Sequence, residues 1–347
     1  MDYQDILQGA KDNMGPCKAC PVCNGMACRN HIPGPGAKGV GDVAIRNYQK
    51  WQEIRVNMDT ICENLPVDAS FELFGEKYRY PIFAAPVGAM KMHYGDKYDD
   101  MEYNQILVSA CRDAGIAAFT GDGLNAEVVR SAAKAIGANG GRGIPTIKPW
   151  HRQMVFEKID LVKAAGAKVI AMDIDAAGLP FLKNMDPPAG SKSVEEMREI
   201  ITYAGLPFIV KGIMTVRGAV KAMEAGASGI VVSNHGGRVL DQTPATAEAL
   251  PEIALAVKGK MKIFVDGGLR SGVDIFKALA LGADAVLVGR PYVTAVYGGG
   301  AEGVKVFTEK LGAELMDTMA MCGVHKLSGI DRTMIYGDGN MSPKSRI

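Results

Sequence analysis

The sequence predicts an α/β protein whose main unit is a (β/α)₈ barrel, the TIM-barrel architecture, preceded by an N-terminal leader rich in Cys, Gly and Pro. Two observations favour this fold. From about residue 80 onward, eight short and largely apolar runs follow one another, as expected of parallel strands covered on both faces. The segments between them are long enough for crossover helices. Eight such units fit a barrel better than a doubly wound sheet, with an ordinary α/β sheet as the alternative.

The predicted leader comprises residues 1–75 and the predicted barrel residues 76–347. Within and beside the leader, Ala69–Phe74 and Lys77–Tyr80 are predicted to form a hairpin that turns at Gly75-Glu76. The eight predicted barrel strands are Pro81–Ala85, Ile116–Thr120, Ile144–Ile147, Val169–Ile174, Pro207–Lys211, Gly229–Ser233, Lys262–Asp266 and Ala283–Val288.

Composition and charge narrow the function classes. Of 347 residues, 48% are hydrophobic and 22% charged, the balance of a well-packed enzyme. With 39 basic and 38 acidic side chains the formal charge is +1, so we expect neither nucleic acid nor a membrane as a partner. The N-terminus lacks a basic segment followed by an apolar one, which favours a cytoplasmic protein whose seven cysteines are thiols or metal ligands.

Charged and Gly-rich turns follow most of the predicted strands, and the active site of a barrel lies at these carboxyl ends. The last two strands end in Asp266-Gly267-Gly268-Leu269-Arg270 and Gly289-Arg290. Glycines let backbone N–H groups approach an anion, and arginines hold phosphate by paired hydrogen bonds. The two turns therefore predict a phosphate site, with surface ion pairs as the alternative for the arginines.

His235 follows another predicted strand and has Arg238 close behind it in the sequence. Histidine exchanges protons near neutral pH, and a guanidinium binds a carboxylate in a fixed orientation. Asp173 and Asp175 are two residues apart on a strand, so both are expected on one side, where a carboxylate can stabilise a protonated histidine. These residues predict acid–base chemistry on a carboxylic acid.

The string Ser233–Asp241 (Ser-Asn-His-Gly-Gly-Arg-Val-Leu-Asp) resembles the signature of the FMN-dependent 2-hydroxy-acid oxidases and dehydrogenases. The likeness continues through Phe264–Gly272, Phe276–Ala283 and Gly289-Arg290-Pro291. It implies FMN as cofactor, a small 2-hydroxy acid as substrate, and a homo-oligomer built as a tetramer or a multiple of it. A different FMN barrel enzyme, such as an isomerase, is the alternative within this fold, although such enzymes generally lack the His–Arg pair.

The resemblance also implies roles for individual residues. His235 corresponds to the base, Asp175 to the carboxylate that stabilises it, Arg238 to the group that holds the substrate carboxylate, and Lys211 to the lysine beside flavin N1. The residues expected to bind the cofactor are Pro86, Val87, Gly88, Thr120, Thr146, Lys211, Ser233, Asp266, Gly268, Arg270, Gly289 and Arg290.

The sequence departs from the family pattern around the substrate. Thr146-Ile147-Lys148 replaces the usual Gln-x-Tyr, and Asp173 replaces the threonine of a Thr-x-Asp motif. The family's second carboxylate-binding arginine has no counterpart, so Lys148 or Lys183 is expected to substitute for it. We therefore expect an acid other than glycolate or lactate, or an electron acceptor other than oxygen.

The leader contains Cys17, Cys20, Cys23 and Cys28, spaced C-x-x-C-x-x-C-x-x-x-x-C. Four thiolates at this spacing suit Zn²⁺ or an iron–sulfur cluster, with free thiols or a disulfide as the alternatives. A metal site would also suit a second class of function, a redox module in which the cysteine cluster passes electrons.

Overall fold

The structure, a computed structural model, describes residues 1–187 and 189–336, without the side chains of Pro180 and Lys183. Its strands are β1 Arg55–Val56, β2 Phe71–Leu73, β3 Glu76–Tyr78, β4 Ile82–Ala84, β5 Ala117–Thr120, β6 Ile144–Ile147, β7 Ile170–Asp173, β8 Phe208–Ile213, β9 Gly229–Val232, β10 Lys262–Val265, β11 Ala285–Val288 and β12 Ile335–Tyr336. Its α-helices are α1 Tyr3–Asn13, α2 Asp42–Glu53, α3 Met90–Tyr94, α4 Asp100–Asp113, α5 Ala126–Ala138, α6 Arg152–Ala164, α7 Pro180–Lys183, α8 Val194–Ala204, α9 Val216–Glu224, α10 Thr246–Val257, α11 Gly272–Ala280 and α12 Arg290–Met321.

Strands β4 to β11 pair in parallel in chain order and close where β11 pairs with β4. The predicted (β/α)₈ barrel is thus confirmed, and the ends of its strands differ from the predicted ones by at most two residues. All eight strands are almost wholly buried, because inward side chains fill the barrel and outward ones pack under the helices.

The barrel interior is filled by aromatic rings. Phe83, Phe119 and Phe264 meet edge to face with centroids 5.6 to 5.9 Å apart. The antiparallel hairpin β2–β3 then closes the end at which the strands begin, where Tyr78 packs 5.0 Å from Phe83. The hairpin is confirmed but its predicted turn is wrong by one residue: Leu73 pairs with Glu76, so Phe74 and Gly75, both with positive φ, form the turn.

The leader wraps around the barrel. Helix α1 packs along α12, with the Tyr3 ring stacked on Phe307 at 5.4 Å. Helix α2 packs on the loops after β9 and β10, and β1 pairs with β12. The expected boundary between residues 75 and 76 lies beside the turn of the hairpin. Among the described helices, none is both long and apolar enough to cross a membrane.

Candidate active site

A cavity of about 1040 Å³ opens at the carboxyl ends of the barrel strands, and residues at the ends of all eight strands line it. Of the residues predicted from the sequence, those lining it are Pro86, Val87, Gly88, Thr146, Lys148, Lys211, His235, Arg238, Asp266, Gly268, Arg270, Gly289 and Arg290. Three others, Thr120, Asp175 and Ser233, lie behind this wall and contact residues in it or next to it. The structure thus brings the predicted site residues together.

His235 is held against Asp175. Its Nδ1 lies 3.0 Å from Asp175 Oδ1, so the carboxylate accepts the Nδ1 proton and leaves Nε2 for chemistry. His235 itself has φ 56°, a left-handed conformation that a non-glycine residue adopts at some cost. Asp175 fits because Gly212 has no side chain: a Cβ there would lie 2.4 Å from Asp175 Cγ.

The charge on Asp175 is stabilised by its neighbours. Burial alone would raise the pKa of its carboxyl, but the charges of His235 and Lys211 outweigh burial and lower it. Asp175 therefore stays ionised and can stabilise an imidazolium at His235.

Lys211, two residues before the end of β8, is almost fully buried at the floor of the cavity. Its Nζ donates to Ser233 Oγ at 3.0 Å and lies 3.4 Å from Asp266 Oδ2. Burial would lower the pKa of Lys211, but Asp266, Asp175 and Asp173 raise it further than burial lowers it. A permanent positive charge is thereby held at this point of the cavity.

Polar groups near the ends of β5 and β6 and directly after β10 and β11 have no hydrogen-bond partner among the described residues. Arg290 Nη1, Asp266 Oδ1, Thr120 Oγ1 and Thr146 Oγ1 are all buried and make no hydrogen bond. Buried polar atoms are rarely left unsatisfied, so a cluster around one cavity indicates a polar ligand. A guanidinium, glycine N–H groups and a carboxylate suit the phosphate and hydroxyl groups of FMN, so the residues fit this cofactor.

Helix α2 of the leader fixes these turns from behind. Asn47 and Asn234 exchange two side-chain hydrogen bonds of 2.8 and 2.9 Å, and Trp51 Nε1 donates to Gly267 O at 2.8 Å. Gly268 has φ 88°, and a Cβ there would lie 2.3 Å from the Asn47 carbonyl oxygen. The position of the turn thus depends on glycine and on the leader.

The leader also crosses the mouth of the cavity. Arg238 Nη1 donates to Gly34 O at 2.5 Å and to Gly36 O at 3.0 Å, which joins the end of β9 to the leader loop. Lys148 Nζ forms a buried ion pair with Asp173 Oδ2 at 3.0 Å, so its charge is already partly balanced. Nothing is described of the Lys183 side chain.

His93, on α3, is a cavity residue that the sequence reasoning missed. Its Nδ1 accepts from the Gly34 N–H at 3.0 Å, so the neutral ring carries its proton on Nε2. Burial, then the charges of Arg238 and Lys148, lower the pKa of His93 from 6.5 to about 4, which keeps it neutral. A signal was available, because His93 lies only a few residues beyond Pro86-Val87-Gly88 at the end of β4.

Asp122 is a second missed residue, and its role is structural. It accepts hydrogen bonds from Lys148 N at 3.0 Å and Trp150 Nε1 at 2.6 Å, and it pairs with Lys158. These contacts hold the turn that carries Lys148.

The four leader cysteines lie outside this cavity but next to it. All four line a separate small cavity that Arg290 also borders, and all seven cysteines of the chain are unpaired. Among the described His, Cys, Asp and Glu residues, only Asp173, Asp175 and His235 bring three ligand atoms within 4.8 Å of one another. Lys148 and Lys211 already supply positive charge to that group.

Comparison with known proteins agrees with this geometry. The sequence profile of the FMN-dependent dehydrogenases matches residues 35–187 and 181–337. The peroxisomal (S)-2-hydroxyacid oxidase GLO3 of Arabidopsis thaliana is 31% identical over 326 residues, which cover 83% of this chain and 86% of that protein. Glycolate oxidase of Spinacia oleracea is 34% identical over 320 residues, covering 81% and 83%.

A solved structure shares the whole architecture. Mandelate oxidase with (S)-2-phenylpropionate superposes with a TM-score of 0.77 at 27% identity, over 95% of this chain and 97% of that one. With a family profile that spans most of the sequence and relatives above 30% identity, the chain belongs to the FMN-dependent dehydrogenase family.

Proposed function

We propose that this protein oxidises a 2-hydroxy acid to the 2-oxo acid with bound FMN. The observation that carries the proposal is the convergence of the His235–Asp175 pair, Arg238 and Lys211 on one cavity whose other end is a glycine–arginine cradle. Two of the relatives with matching sequences are named as 2-hydroxyacid and glycolate oxidases.

FMN would be held at its phosphate by Gly268, Arg270, Gly289 and Arg290, all of which line the cavity. The residues that would hold its ribityl chain and ring are Pro86, Val87, Gly88, Thr120, Thr146, Lys211, Ser233 and Asp266. When bound, FMN accepts the two electrons that leave the substrate. The charge of Lys211 would favour the negatively charged reduced form.

Proton removal is the task of His235. Because Nδ1 is hydrogen-bonded to Asp175, Nε2 is the atom that takes a proton from the substrate. Asp175, ionised by its surroundings, then stabilises the positive charge of the imidazolium. Arg238 and Lys211 border the same cavity, so the substrate can contact the base and the cofactor site together.

The substrate carboxylate is proposed to lie among Arg238, Lys148 and His93. All three side chains line the cavity, and Gly34 lies between two of them: its N–H donates to His93 Nδ1 at 3.0 Å and its carbonyl oxygen accepts from Arg238 Nη1 at 2.5 Å. The Nε2 proton of His93 supplies a neutral hydrogen-bond donor to the same cavity.

The mouth of the cavity favours a bulky apolar substituent on the acid. Met92, Met101 and Leu124 line the cavity and are 63%, 44% and 63% exposed, an unusual group of large apolar side chains at a surface. Leu179 and Phe181 extend this lining. We therefore propose an aromatic or branched 2-hydroxy acid as substrate.

The cellular compartment and the oligomeric state of the enzyme are also proposals. Seven unpaired cysteines suit a reducing compartment such as the cytoplasm. A homo-oligomer, a tetramer or a multiple of it, follows from the family resemblance.

We also propose that the leader cysteines Cys17, Cys20, Cys23 and Cys28 bind a metal centre. They line one cavity, and the guanidinium group of Arg290 borders it.

An anaerobic screen tests the main proposal. The purified protein with its flavin is mixed without oxygen with glycolate, lactate, 2-hydroxy-4-methylpentanoate and mandelate. We expect the visible absorption of the oxidised flavin to disappear, fastest with the two bulky acids. Loss of absorption with none of the acids would contradict the reaction, and a clear preference for glycolate would contradict the proposed substrate.

A further inference from the structure

The leader cysteines lie in the segment that joins α1 to α2. This segment, residues 14–41, is described throughout and contains no helix or strand. Irregular segments of this length are uncommon inside a compact fold and usually carry function. Cys17, Cys20, Cys23 and Cys28 line one small cavity within it, and none is in a disulfide. The segment is therefore folded around its cysteines.

Close backbone packing fixes the turn that carries Cys28. Its Sγ lies 3.7 Å from Gly25 O and 3.9 Å from Pro35 O. A Cβ on Gly36 would lie 2.1 Å from the Cys28 carbonyl oxygen, so glycine is required there. Gly25 has φ 87° and packs against Ala44 of α2. These contacts, one of them with α2, hold the turn that carries Cys28 beside the cavity.

One cationic side chain of the barrel borders the same cavity, and a second one contacts a cysteine that lines it. Arg290 lines it together with Pro291 and Thr294 at the beginning of α12. Arg270 Nε donates to Cys23 O at 2.6 Å. Four thiolates around a doubly charged metal or cluster core carry about two net negative charges, and a nearby guanidinium group offsets part of that charge even when it also contacts the flavin phosphate. Arg290 also lines the flavin cavity, so the two sites share a wall.

The spacing of the sulfur atoms argues against one zinc ion bound by all four cysteines. Among the described residues, no three of the four cysteine Sγ atoms lie within 4.8 Å of one another. One zinc ion with four thiolates at about 2.3 Å would bring all sulfur atoms within about 3.8 Å of each other. In an iron–sulfur cluster the thiolates bind different iron atoms, so the sulfur atoms spread further apart.

We infer that Cys17, Cys20, Cys23 and Cys28 are the ligands of an iron–sulfur cluster, enclosed between the leader and the start of α12. This inference rests on the proposed metal centre and assigns its chemical identity. The net negative charge of the cluster would face the guanidinium groups of Arg270 and Arg290.

Analysis of iron, zinc and acid-labile sulfide tests the inference. The full chain with its flavin is purified without oxygen and reconstituted with ferrous iron and sulfide. We expect iron and sulfide in equal amounts, about two or about four of each per chain, and an electron paramagnetic resonance signal after reduction with dithionite. Cys20→Ser and Cys23→Ser should remove most of the iron and sulfide, while Cys62→Ser, an exposed cysteine far along the chain, should keep both.

The other outcomes separate the proposals. One zinc ion per chain, lost in Cys20→Ser and retained in Cys62→Ser, would keep the metal centre and overturn the cluster. Neither metal bound to the wild-type protein would overturn both. Flavin content and flavin reduction by a 2-hydroxy acid, measured on the same preparations, report the oxidation independently. If a serine variant fails to fold, the metal and sulfide content of the wild-type protein still decides the question.

Discussion

The two sides of the main cavity are built differently. On the flavin side, Asp266 and Gly289 directly follow the neighbouring strands β10 and β11, and Lys211 lies within β8, so the closed barrel sets the positions from which they project. On the substrate side, the walls come from the leader loop and from α3, which reach the mouth through contacts such as Arg238 to Gly34. The leader loop and α3 can therefore change without altering the strands that carry the flavin-side residues, although α2 also supports the turn after β10.

Substitution of His235, the base between the two sides of the cavity, should have the largest effect on the rate of flavin reduction. His235→Gln removes the proton acceptor that is paired with Asp175, so we expect the rate of flavin reduction to fall by at least about 100-fold. Flavin content should stay unchanged, since His235 is not part of the phosphate cradle. Anaerobic stopped-flow absorption measures the rate. His151→Gln, outside the cavity, is the control, and near-normal reduction in the His235 variant would remove this residue from the mechanism.

A smaller effect is expected where the barrel supports the base. In Gly212→Ala the new Cβ would fall 2.4 Å from Asp175 Cγ and displace the carboxylate from His235. We expect flavin reduction to slow by about 10- to 100-fold, the cost of misplacing a catalytic group by about an ångström. Gly140→Ala is the matched control, because Gly140 also has positive φ but no atom lies within 4 Å of its Cβ position. Equal rates in the two variants would show that Asp175 does not depend on Gly212.

On the substrate side, Arg238→Met should weaken binding more than it slows chemistry. The loss of a charged hydrogen bond to the carboxylate predicts a dissociation constant raised about 10- to 100-fold. Titration of flavin reduction rate against acid concentration separates the two effects. If the limiting rate of flavin reduction fell while the half-saturating acid concentration stayed unchanged, Arg238 would act in the chemical step and not in substrate binding.

Substitution of His93 should have the smallest effect on binding of the acid, and it should also change how the stability of the protein depends on pH. His93→Phe should raise the dissociation constant of the acid by about fivefold, as expected for one neutral hydrogen bond.

The folded pKa of His93, about 4, lies below its ordinary value of 6.5, so the unfolded chain binds a proton more readily between these values. The wild-type protein should therefore lose stability as the pH falls from 6.5 toward 4, and His93→Phe should lose less. Thermal unfolding at pH 7 and pH 5 measures this. If both proteins lost the same stability between pH 7 and pH 5, the lowered pKa of His93 would be contradicted. His151→Gln again serves as the control.

Much of the flavin side could be predicted from the sequence because its residues are local to strand ends. A short apolar run predicts a strand, and residues that follow it are predicted to lie at the carboxyl end of the barrel. Gly268 and Arg290 come within a few residues of such strand ends. Asn47 and Asn234, which contact each other, are 187 residues apart in the sequence, and Gly34 and Arg238 are 204 residues apart. No local sequence pattern predicts such contacts. The position of His93 shortly after β4 was visible in the sequence, but its hydrogen bond with Gly34 depends on where the leader loop passes.

The most direct test of the proposed oxidation is one anaerobic turnover with product analysis. The protein is mixed without oxygen with the most reactive 2-hydroxy acid, and the released flavin, the reduced flavin and the 2-oxo acid are each quantified. We predict that the flavin is FMN and that one 2-oxo acid forms for each FMN reduced. Release of FAD, or a flavin that dithionite reduces but no 2-hydroxy acid does, would contradict this account.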